Sequence, residues 1–289
     1  MNLSLEGIRV VDLSRVLAGP FCCALLGDMG ADVIKVEDTA TGDESRTWPP
    51  HKDGESAGFI VNNRNKRGIA VDLKTPDGVE LVTRLVRRAD VLVENFRTGT
   101  MEQFGLGYDR LAVHNPRLVY CSVSAFGRKG PRAPEAGYEA LMQAFSGIMS
   151  ITGEPDGPPV RCGVSFLDLT TGILCAFGIV NALLLRERTG QGLRVDGSLL
   201  ETAVGLLNFQ AEGNLLTGVA GTSCFPSNSS NGARSCRAIA SPSVASSSPR
   251  CPTRSTLTAN FGSSASSGRP SAVTRRRNSR SFAPAMKIH

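Results

Sequence analysis

The sequence contains few residues that commonly bind metal ions. Its three histidines (His51, His114 and His289) are isolated, and its eight cysteines form neither a CxxC motif nor a cluster with histidine. This pattern supports neither a zinc site nor a thioredoxin-type redox motif. The five cysteines before residue 218 lie mostly within apolar runs, which is typical of buried thiols in a reducing compartment. We therefore predict a protein without a metal site.

The sequence also lacks signals for export or membrane insertion. Its first residues, MNLSLEGIRVVDLS, contain neither a basic segment nor a long apolar segment. The longest apolar run, near 173–185, is shorter than the roughly 20 residues that span a bilayer. These absences predict a soluble, cytoplasmic protein without a membrane partner.

Acidic residues are absent from the last part of the chain. Residues 221–289 contain ten Lys or Arg, 18 Ser and no Asp or Glu, whereas the first 220 residues hold 22 basic and 26 acidic groups. We predict a folded body, 1–217, and a disordered, low-complexity Ser/Arg-rich tail, 218–289. One interpretation of the tail is a nucleic-acid-binding segment. We favour a reading-frame error in a GC-rich gene, because the composition changes abruptly after Thr217.

Short apolar strands alternate with helices through the body. Predicted strands cover 8–14, 31–37, 68–73, 90–96 and 117–127, and predicted helices cover 20–30 and 75–89. Thr75 and Pro76 suit the N-cap and the first position of the second helix. This repeated β-α-β order predicts an α/β fold, a doubly wound and mostly parallel sheet with helices on both faces.

A GxGxxG turn is missing after the first strand, where LSRVLAGP stands instead. Because a dinucleotide-binding turn needs those glycines for close approach to the pyrophosphate, NAD is disfavoured. A single carboxylate, Asp168, lies in the stretch GVSFLDLTTG, just before the apolar segment ILCAFGIVNALLL. On spacing alone, Asp168 is either the N-cap of a helix that begins at Leu169 or a reactive group, and the N-cap is favoured.

Several sequence blocks resemble the class III CoA-transferases. In chain order they are IRVVDLSRVLAGPF, GDMGADVIKVE, NRNKRGIAVDLKTPDG, DVLVENFRTG, EAGYEAL and DLTTG. The resemblance covers about residues 5–217 and implies the Rossmann-like large domain of that family. Family members also have a small domain and a C-terminal return to the large domain, and the tail resembles neither. The resemblance implies a homodimer of interlocked chains, although interlocking depends on that C-terminal half.

The resemblance gives Asp168 a chemical role. In the family, the matching aspartate attacks an acyl-CoA thioester and forms an aspartyl-acyl anhydride, then an aspartyl-CoA thioester, so that CoA passes to a free carboxylic acid. Enclosure makes a carboxylate competent for such an attack. The resemblance also places Tyr138 and Glu139 at the acyl pocket. Related α-methylacyl-CoA racemases have His-Asp there, and a phenol with a pKa of roughly 10 exchanges protons poorly at neutral pH, which disfavours a racemase.

The resemblance implies that CoA binds as a substrate and not as a tightly held cofactor. Its predicted contacts are Val16, Leu17, Ala18, Val71, Lys74, Asn95 and Phe96, with Lys35 and Arg46 as further phosphate contacts. Arg161 in GPPVRCGV is predicted to bind the acid, because transferases acting on succinyl-CoA have a similar run and a guanidinium pairs with a carboxylate. A short or dicarboxylic acid such as succinate is therefore expected. Leu17, where formyl-CoA transferases have Gln, argues against formyl or oxalate specificity, as does Asp38, where some relatives have a basic CoA contact.

Three functional interpretations remain open. The first, which we prefer, is acyl-CoA:carboxylate CoA transfer. The second is an inactive fragment that exposes the apolar surface normally covered by a small domain. The third is salt-sensitive nucleic-acid binding by the basic tail, which we disfavour because it depends on the tail alone.

Overall fold

The computed structural model describes residues 3–154 and 157–218, and the backbone of a strand at 286–288. Most of the predicted tail, 218–289, lies outside the described residues, so its assignment stays a prediction. Three of its residues, Met286–Ile288, differ from the prediction of disorder, because they form a strand.

Nine strands are present in the described part of the chain. They are β1 (Arg9–Asp12), β2 (Asp32–Glu37), β3 (His51–Lys52), β4 (Glu55–Ser56), β5 (Lys66–Ala70), β6 (Val91–Glu94), β7 (Val119–Ser124), β8 (Arg194–Ser198) and β9 (Met286–Ile288). The main sheet has the order β5-β2-β1-β6-β7-β8-β9. Its first six strands are parallel, and β9 joins β8 in the antiparallel direction. Strands β3 and β4 form a separate antiparallel pair.

The direction in which the chain builds this sheet reverses between β1 and β6. From β1 the chain adds β2 and β5 on one side, then returns to the other side of β1 and adds β6, β7 and β8. Val10 of β1 therefore pairs with Val33 of β2 on one side and Val91 of β6 on the other. This topology confirms the predicted doubly wound sheet. In such sheets, ligands bind beyond the carboxyl ends of the strands at the reversal, the switch point.

Helices cover both faces of the sheet. They are α1 (Ala18–Asp28), α2 (Ala57–Asn62), α3 (Pro76–Val86), α4 (Thr100–Gln103), α5 (Tyr108–His114), α6 (Glu139–Phe145), α7 (Phe166–Thr189) and α8 (Leu199–Thr217). Val10 and Val93 belong to the core beneath α1 and α7, whereas Val11 and Leu92 belong to the core beneath α3 and α5. Successive strand residues point to opposite faces, so both must be apolar where both faces are covered.

Helix α7 is the apolar helix that follows from the ILCAFGIVNALLL segment. It has 24 residues and is, among the described helices, the one long and apolar enough to cross a bilayer by length and composition. Half of that apolar stretch is buried, with Ile179 and Ala182 in the core, and its buried Arg186 pairs with Asp90 at 2.9 Å. These are the contacts of a core helix, which continues beyond the predicted apolar run of 173–185.

The helix starts agree with the sequence signals in one case and differ in another. Thr75 Oγ1 accepts the Gly78 N–H at 3.1 Å and Pro76 begins α3, as predicted. Helix α7 begins earlier than predicted, so Asp168 lies within its first turn and is not the N-cap that its spacing favoured. The N-cap residue is Ser165, whose side chain makes no capping hydrogen bond.

Candidate active site

The loop after β1 meets the loop after β6 at the switch point. The Arg15 N–H donates to Asn95 Oδ1 at 2.8 Å, and Asn95 Nδ2 donates back to the Arg15 carbonyl oxygen at 2.6 Å. The Val16 N–H donates to Asp43 Oδ1 at 3.1 Å. Val16 has a φ of 72°, which is strained for a β-branched residue. The loop just before α1 is therefore held in a strained shape by hydrogen bonds from two sides.

Two buried ion pairs support this loop. Lys35 Nζ contacts Asp43 Oδ2 at 2.8 Å and donates to the Ser14 carbonyl oxygen at 3.0 Å. Lys66 Nζ contacts Asp12 Oδ2 at 2.8 Å. Burial opposes ionisation of both aspartates, but the neighbouring lysine charges outweigh it and lower the pKa of Asp12 and of Asp43. Both aspartates are therefore ionised structural supports.

Burial contradicts the prediction of a phosphate contact at Lys35, and Arg46, the other predicted contact, pairs with a carboxylate of the protein. Lys35 is 2% exposed and engaged by Asp43. Arg46 donates to both carboxylate oxygens of Glu37, at 2.7 and 2.8 Å, and its guanidinium carbon lies 3.7 Å from the Phe59 ring centroid. A basic residue near the end of a strand gives the same sequence pattern whether it pairs with protein or with phosphate, so the pattern alone was misleading.

Glu139 performs the capping role at the start of α7. Its carboxylate accepts the N–H groups of Leu167 at 3.2 Å and Asp168 at 2.7 Å, which the helix itself leaves unpaired. Gln143 donates its Nε2 to Glu139 Oε1 at 2.7 Å. Gln143 Oε1 accepts the Cys162 N–H at 2.9 Å. Because a carboxylate is also favourable at a helix N-terminus, this network fixes the turn that carries Asp168.

The Asp168 carboxylate has no ion-pair partner among the described residues. Burial, and after it the negative charge of Glu139, raises the pKa of Asp168 to about 7. Both the protonated and the ionised form of the group are therefore accessible near neutral pH. A carboxylate shifted in this way by burial and a specific neighbour is a candidate for a chemical role, and removal from water makes its ionised form more reactive.

A close contact between α1 and α7 brings Asp168 next to the strained loop. A Cβ atom on Gly172 would lie 2.7 Å from the Ala18 carbonyl oxygen, closer than real Cβ atoms come. The absence of a side chain at Gly172 therefore allows the first turns of the two helices to touch. This gives a physical reason for the glycine that ends the DLTTG block.

A cavity of about 240 Å³ opens where these elements meet. Seven predicted site residues line it: Val16, Leu17, Ala18, Asn95, Phe96, Tyr138 and Asp168. The structure thus brings the predicted nucleophile and most of the predicted CoA contacts to one place. Their roles in binding and chemistry remain predictions.

Four predicted site residues do not line this cavity among the described residues. Glu139, which the resemblance placed at the acyl pocket, is buried beneath the start of α7 and does not line this cavity. Val71 is 4% exposed and packs in the core, so its side chain cannot contact CoA. Lys74 lines a separate groove of about 780 Å³, together with Arg110. Arg161 is exposed away from the cavity wall.

Sequence reasoning missed three arginines on the cavity wall, which are Arg15, Arg97 and Arg128. The guanidinium carbon of Arg15 lies 4.7 Å from the Phe96 ring centroid. Arg128 is buried, pairs with Glu94 at 2.8 Å and donates to Ser122 Oγ at 2.5 Å, which joins the ends of β6 and β7. Each arginine follows a buried strand by three or four residues, and this position beyond the carboxyl end of a strand was the available signal.

The thiols and acidic groups show no metal centre in the described part of the chain. Within 3–154 and 157–218, no group of three or more His, Cys, Asp or Glu side chains is placed to hold a metal ion. Four cysteines (Cys22, Cys23, Cys121 and Cys175) are buried free thiols, as predicted, and Cys162 is partly exposed. The absence of a metal from the whole protein stays a prediction.

The structure is that of an α/β protein whose doubly wound sheet carries, at its switch point, a carboxylate without an ion-pair partner among the described residues. The family model of CoA-transferase family III matches residues 5–245. The chain belongs to this family, as the sequence blocks predicted. The match continues past residue 217 and so includes the first part of the region predicted to be a tail.

Named relatives agree with this assignment. The succinate–glutarate CoA-transferase of Agrobacterium fabrum is 48% identical over 221 residues, which cover 74% of this chain and 55% of the relative. The human succinyl-CoA:glutarate CoA-transferase is 44% identical over 213 residues, 73% of this chain and 49% of the relative. The chain therefore spans about half the length of the curated relatives it matches. The crystal structure of a CAIB/BAIF family protein from Brucella suis is 44% identical, with a TM-score of 0.74 over 77% of this chain and 60% of that one.

Proposed function

We propose that this chain transfers CoA from an acyl-CoA to a free carboxylic acid, with Asp168 as the nucleophile. The observation that carries the proposal is the unpaired carboxyl group of Asp168, whose pKa of about 7 results from burial and Glu139, on the wall of the switch-point cavity. Relatives named for succinate, succinyl-CoA and glutarate support a short dicarboxylic acid as the substrate. The CoA thioester then binds as a substrate and not as a tightly held cofactor.

The proposed reaction passes through three covalent intermediates, which are an aspartyl-acyl anhydride, an aspartyl-CoA thioester and a second anhydride with the acceptor acid. An Asp168 oxygen attacks the thioester carbonyl carbon, the C–S bond breaks, and CoA leaves as the thiolate, which gives a mixed aspartyl-acyl anhydride. The thiolate attacks the Asp168 carbonyl carbon, so the first acid leaves as a carboxylate and an aspartyl-CoA thioester remains. The acceptor carboxylate attacks this thioester and expels the thiolate, which leaves an anhydride between Asp168 and the acceptor. The thiolate then attacks the acyl carbon of that anhydride, which gives the new acyl-CoA and frees the Asp168 carboxylate. One anion replaces another at each step, so charge is conserved throughout.

Glu139 assists this proposed chemistry through electrostatics and position. It holds the α7 turn through the Leu167 and Asp168 N–H groups, which fixes the approach of the nucleophile. Its carboxylate also disfavours an ionised Asp168 nearby. Acylation converts Asp168 to a neutral group and relieves this repulsion, which favours the covalent intermediate over the free pair of carboxylates.

Racemisation receives no support from the cavity. Exchange of an α-proton near neutral pH is work suited to an imidazole, and no histidine lines the cavity among the residues described. Tyr138 stands at its rim and is 64% exposed. We therefore propose transfer and not racemisation, with Tyr138 as a wall of the acyl pocket.

Hydroxylamine trapping tests the proposed mechanism. The full chain is incubated with succinyl-CoA and then with hydroxylamine, which converts an aspartyl anhydride or thioester to a hydroxamate detectable by mass spectrometry. The peptide containing Asp168 is expected to carry the modification, and Asp168→Asn is expected to abolish it. Asp109→Asn, which changes an exposed aspartate on α5, is the matched control and should give the wild-type amount. An unmodified peptide in the wild-type protein contradicts the mechanism and favours an inactive chain.

We also propose that the protein acts as a homodimer in the cytoplasm, without nucleic-acid or membrane partners. Phe177 and Leu184 on α7, and Phe209 and Leu216 on α8, are each more than half exposed. Such apolar surface is typical of an interface. Sedimentation velocity of the full chain should give twice the 30.6 kDa chain mass, whereas a monomer at all concentrations contradicts the proposal. Cell fractionation tests the compartment.

A further inference from the structure

Three arginines line the cavity that contains Asp168: Arg15, Arg97 and Arg128. Arg128 is already occupied, because it is buried and pairs with Glu94. Arg15 and Arg97 have no carboxylate partner in the described part of the chain, where every ion pair involves other residues. Two cationic groups at the cavity therefore remain open to an anionic ligand.

Arg15 is the more rigidly held of these two residues. Its main chain is fixed by the reciprocal hydrogen bonds with Asn95, at 2.8 and 2.6 Å. Its guanidinium group lies over the Phe96 ring, with 4.7 Å between the guanidinium carbon and the ring centroid. A guanidinium stacked on an aromatic face still presents the edge that donates two parallel N–H bonds to a carboxylate. Arg15 is thus arranged in advance for an anion, and it loses little freedom on binding one.

We propose that Arg15 binds the distal carboxylate of a dicarboxylic acyl group and so sets the preference for dicarboxylic substrates. This inference rests on the proposed function and deepens it. When one end of a dicarboxylic acid is joined to CoA and reacts at Asp168, the other end stays ionised inside the same cavity. That charge needs a partner, because the buried Glu139 beside Asp168 already carries a negative charge.

The assignment of this role to Arg15 replaces the sequence-based assignment to Arg161. Both arginines are exposed, but Arg15 lines the cavity, whereas Arg161 is not among the described residues that line it. A phosphate of CoA presents the same anionic chemistry to a guanidinium as a carboxylate does. The experiment must therefore separate a ligand's distal carboxylate from its phosphates.

Binding of three matched ligands provides this separation. Succinyl-CoA and butyryl-CoA have acyl chains of equal length, and only succinyl-CoA has a distal carboxylate. Free CoA has no acyl chain and no carboxylate. Dissociation constants are measured by calorimetry with the full chain carrying Asp168→Asn, so that acylation cannot occur. Adding Arg15→Gln should weaken succinyl-CoA binding by about tenfold or more, and change butyryl-CoA and CoA binding by less than about twofold. Arg15→Lys should retain part of the selectivity, because the charge remains and the planar edge is lost.

Arg97→Gln and Arg161→Gln, each in the same Asp168→Asn background, are the matched controls. Both should leave the ratio of the succinyl-CoA and butyryl-CoA constants unchanged. Circular dichroism and thermal melts check that each variant is folded. Equal weakening of all three ligands by Arg15→Gln would assign Arg15 to the CoA phosphates and overturn the inference. It is also overturned by an unchanged ratio, or by selective loss in Arg161→Gln instead.

The inference and the proposed function fail in different ways. A hydroxamate at Asp168 without a selective effect of Arg15→Gln refutes the role of Arg15 and leaves transfer intact. Selective binding without any hydroxamate refutes transfer and leaves Arg15 as a carboxylate site. If the Asp168→Asn protein with Arg15 intact binds none of the three ligands, both are overturned.

Discussion

The buried carboxylates on the two sides of the switch-point cavity differ in their ion pairing and in the direction of their pKa shifts. On the β1 side, Asp12 and Asp43 each contact a buried lysine, and both have a lowered pKa despite burial. On the α7 side, Glu139 is held by N–H groups, and Asp168 has no cation beside it among the described residues, so that burial and Glu139 raise its pKa to about 7. A cationic partner stabilises the ionised form of a buried carboxylate, whereas a buried carboxylate without such a partner can take up or lose a proton near neutral pH. The partner of a buried carboxylate, more than its residue type, separates a structural group from a reactive one.

The largest effect is expected from breaking a pair on the β1 side. Lys66→Met leaves Asp12 buried without its partner and should lower the free energy of unfolding by about 3–5 kcal/mol in urea melts near neutral pH. The pKa of Asp12 without Lys66 should rise above its value in the unfolded chain. The loss in the free energy of unfolding should therefore become smaller as the pH falls towards the unfolded pKa. Lys52→Met, an exposed lysine on β3, is the control and should change little. A loss as small as the control's would mean that the pair contributes no net support.

The next effect is expected on the α7 side and has the opposite sign. The folded pKa of Asp168 is about 7, above its unfolded value near 3.8, so the folded state binds the proton more tightly and wild-type stability falls as pH rises between these values. Asp168→Asn removes this cost. It should therefore raise the free energy of unfolding by about 2–4 kcal/mol near pH 8 and by less than half of that near pH 5. Urea melts at the two pH values measure the difference, and an equal gain at both would exclude the charge as its cause.

The smallest effect concerns Glu139, which separates repulsion from burial on the same side. Glu139→Gln keeps an oxygen that accepts from the helix but removes the charge, so the pKa of Asp168 should fall, although burial keeps it above its ordinary value. The rate of hydroxamate formation between about pH 5 and 9 should then have its midpoint at lower pH than in the wild type. Glu135→Gln, on the cavity wall and paired with Arg132, should leave the midpoint unchanged. An unmoved midpoint in Glu139→Gln would mean that burial alone sets the pKa.

The fold was predictable because its signals are local. Buried parallel strands require continuous apolar runs, and Thr75 with Pro76 provides a complete helix start within two residues. The pair β3 and β4 escaped prediction because two-residue strands are too short to show a period. Strand β9 escaped because its segment, MKI, lies in a Ser/Arg-rich composition that otherwise indicates disorder.

The family resemblance predicted cavity residues beyond the carboxyl ends of parallel strands, such as Val16 and Asn95, and also Asp168 at the start of α7. The capping of α7 by Glu139 was not predictable, because Glu139 lies 29 positions before Asp168. Spacing alone favoured Asp168 itself as the N-cap. The role of Lys35 was predicted wrongly for a related reason, because its ion pair with Asp43 depends on the folded structure and gives no sequence pattern. Motifs predict the chemistry, and contacts between distant segments decide which residues remain available for it.

The strained backbone at Val16 has a consequence for how this architecture can diverge. Holding a β-branched residue at positive φ costs about 1–3 kcal/mol, and part of the restraint comes from Asp43, which Lys35 anchors inside the protein. An exchange at Lys35 would therefore alter the mouth of the cavity while every wall residue stayed the same. A substitution in the protein interior can therefore change which ligands the cavity accepts, although every residue on the cavity wall is unchanged.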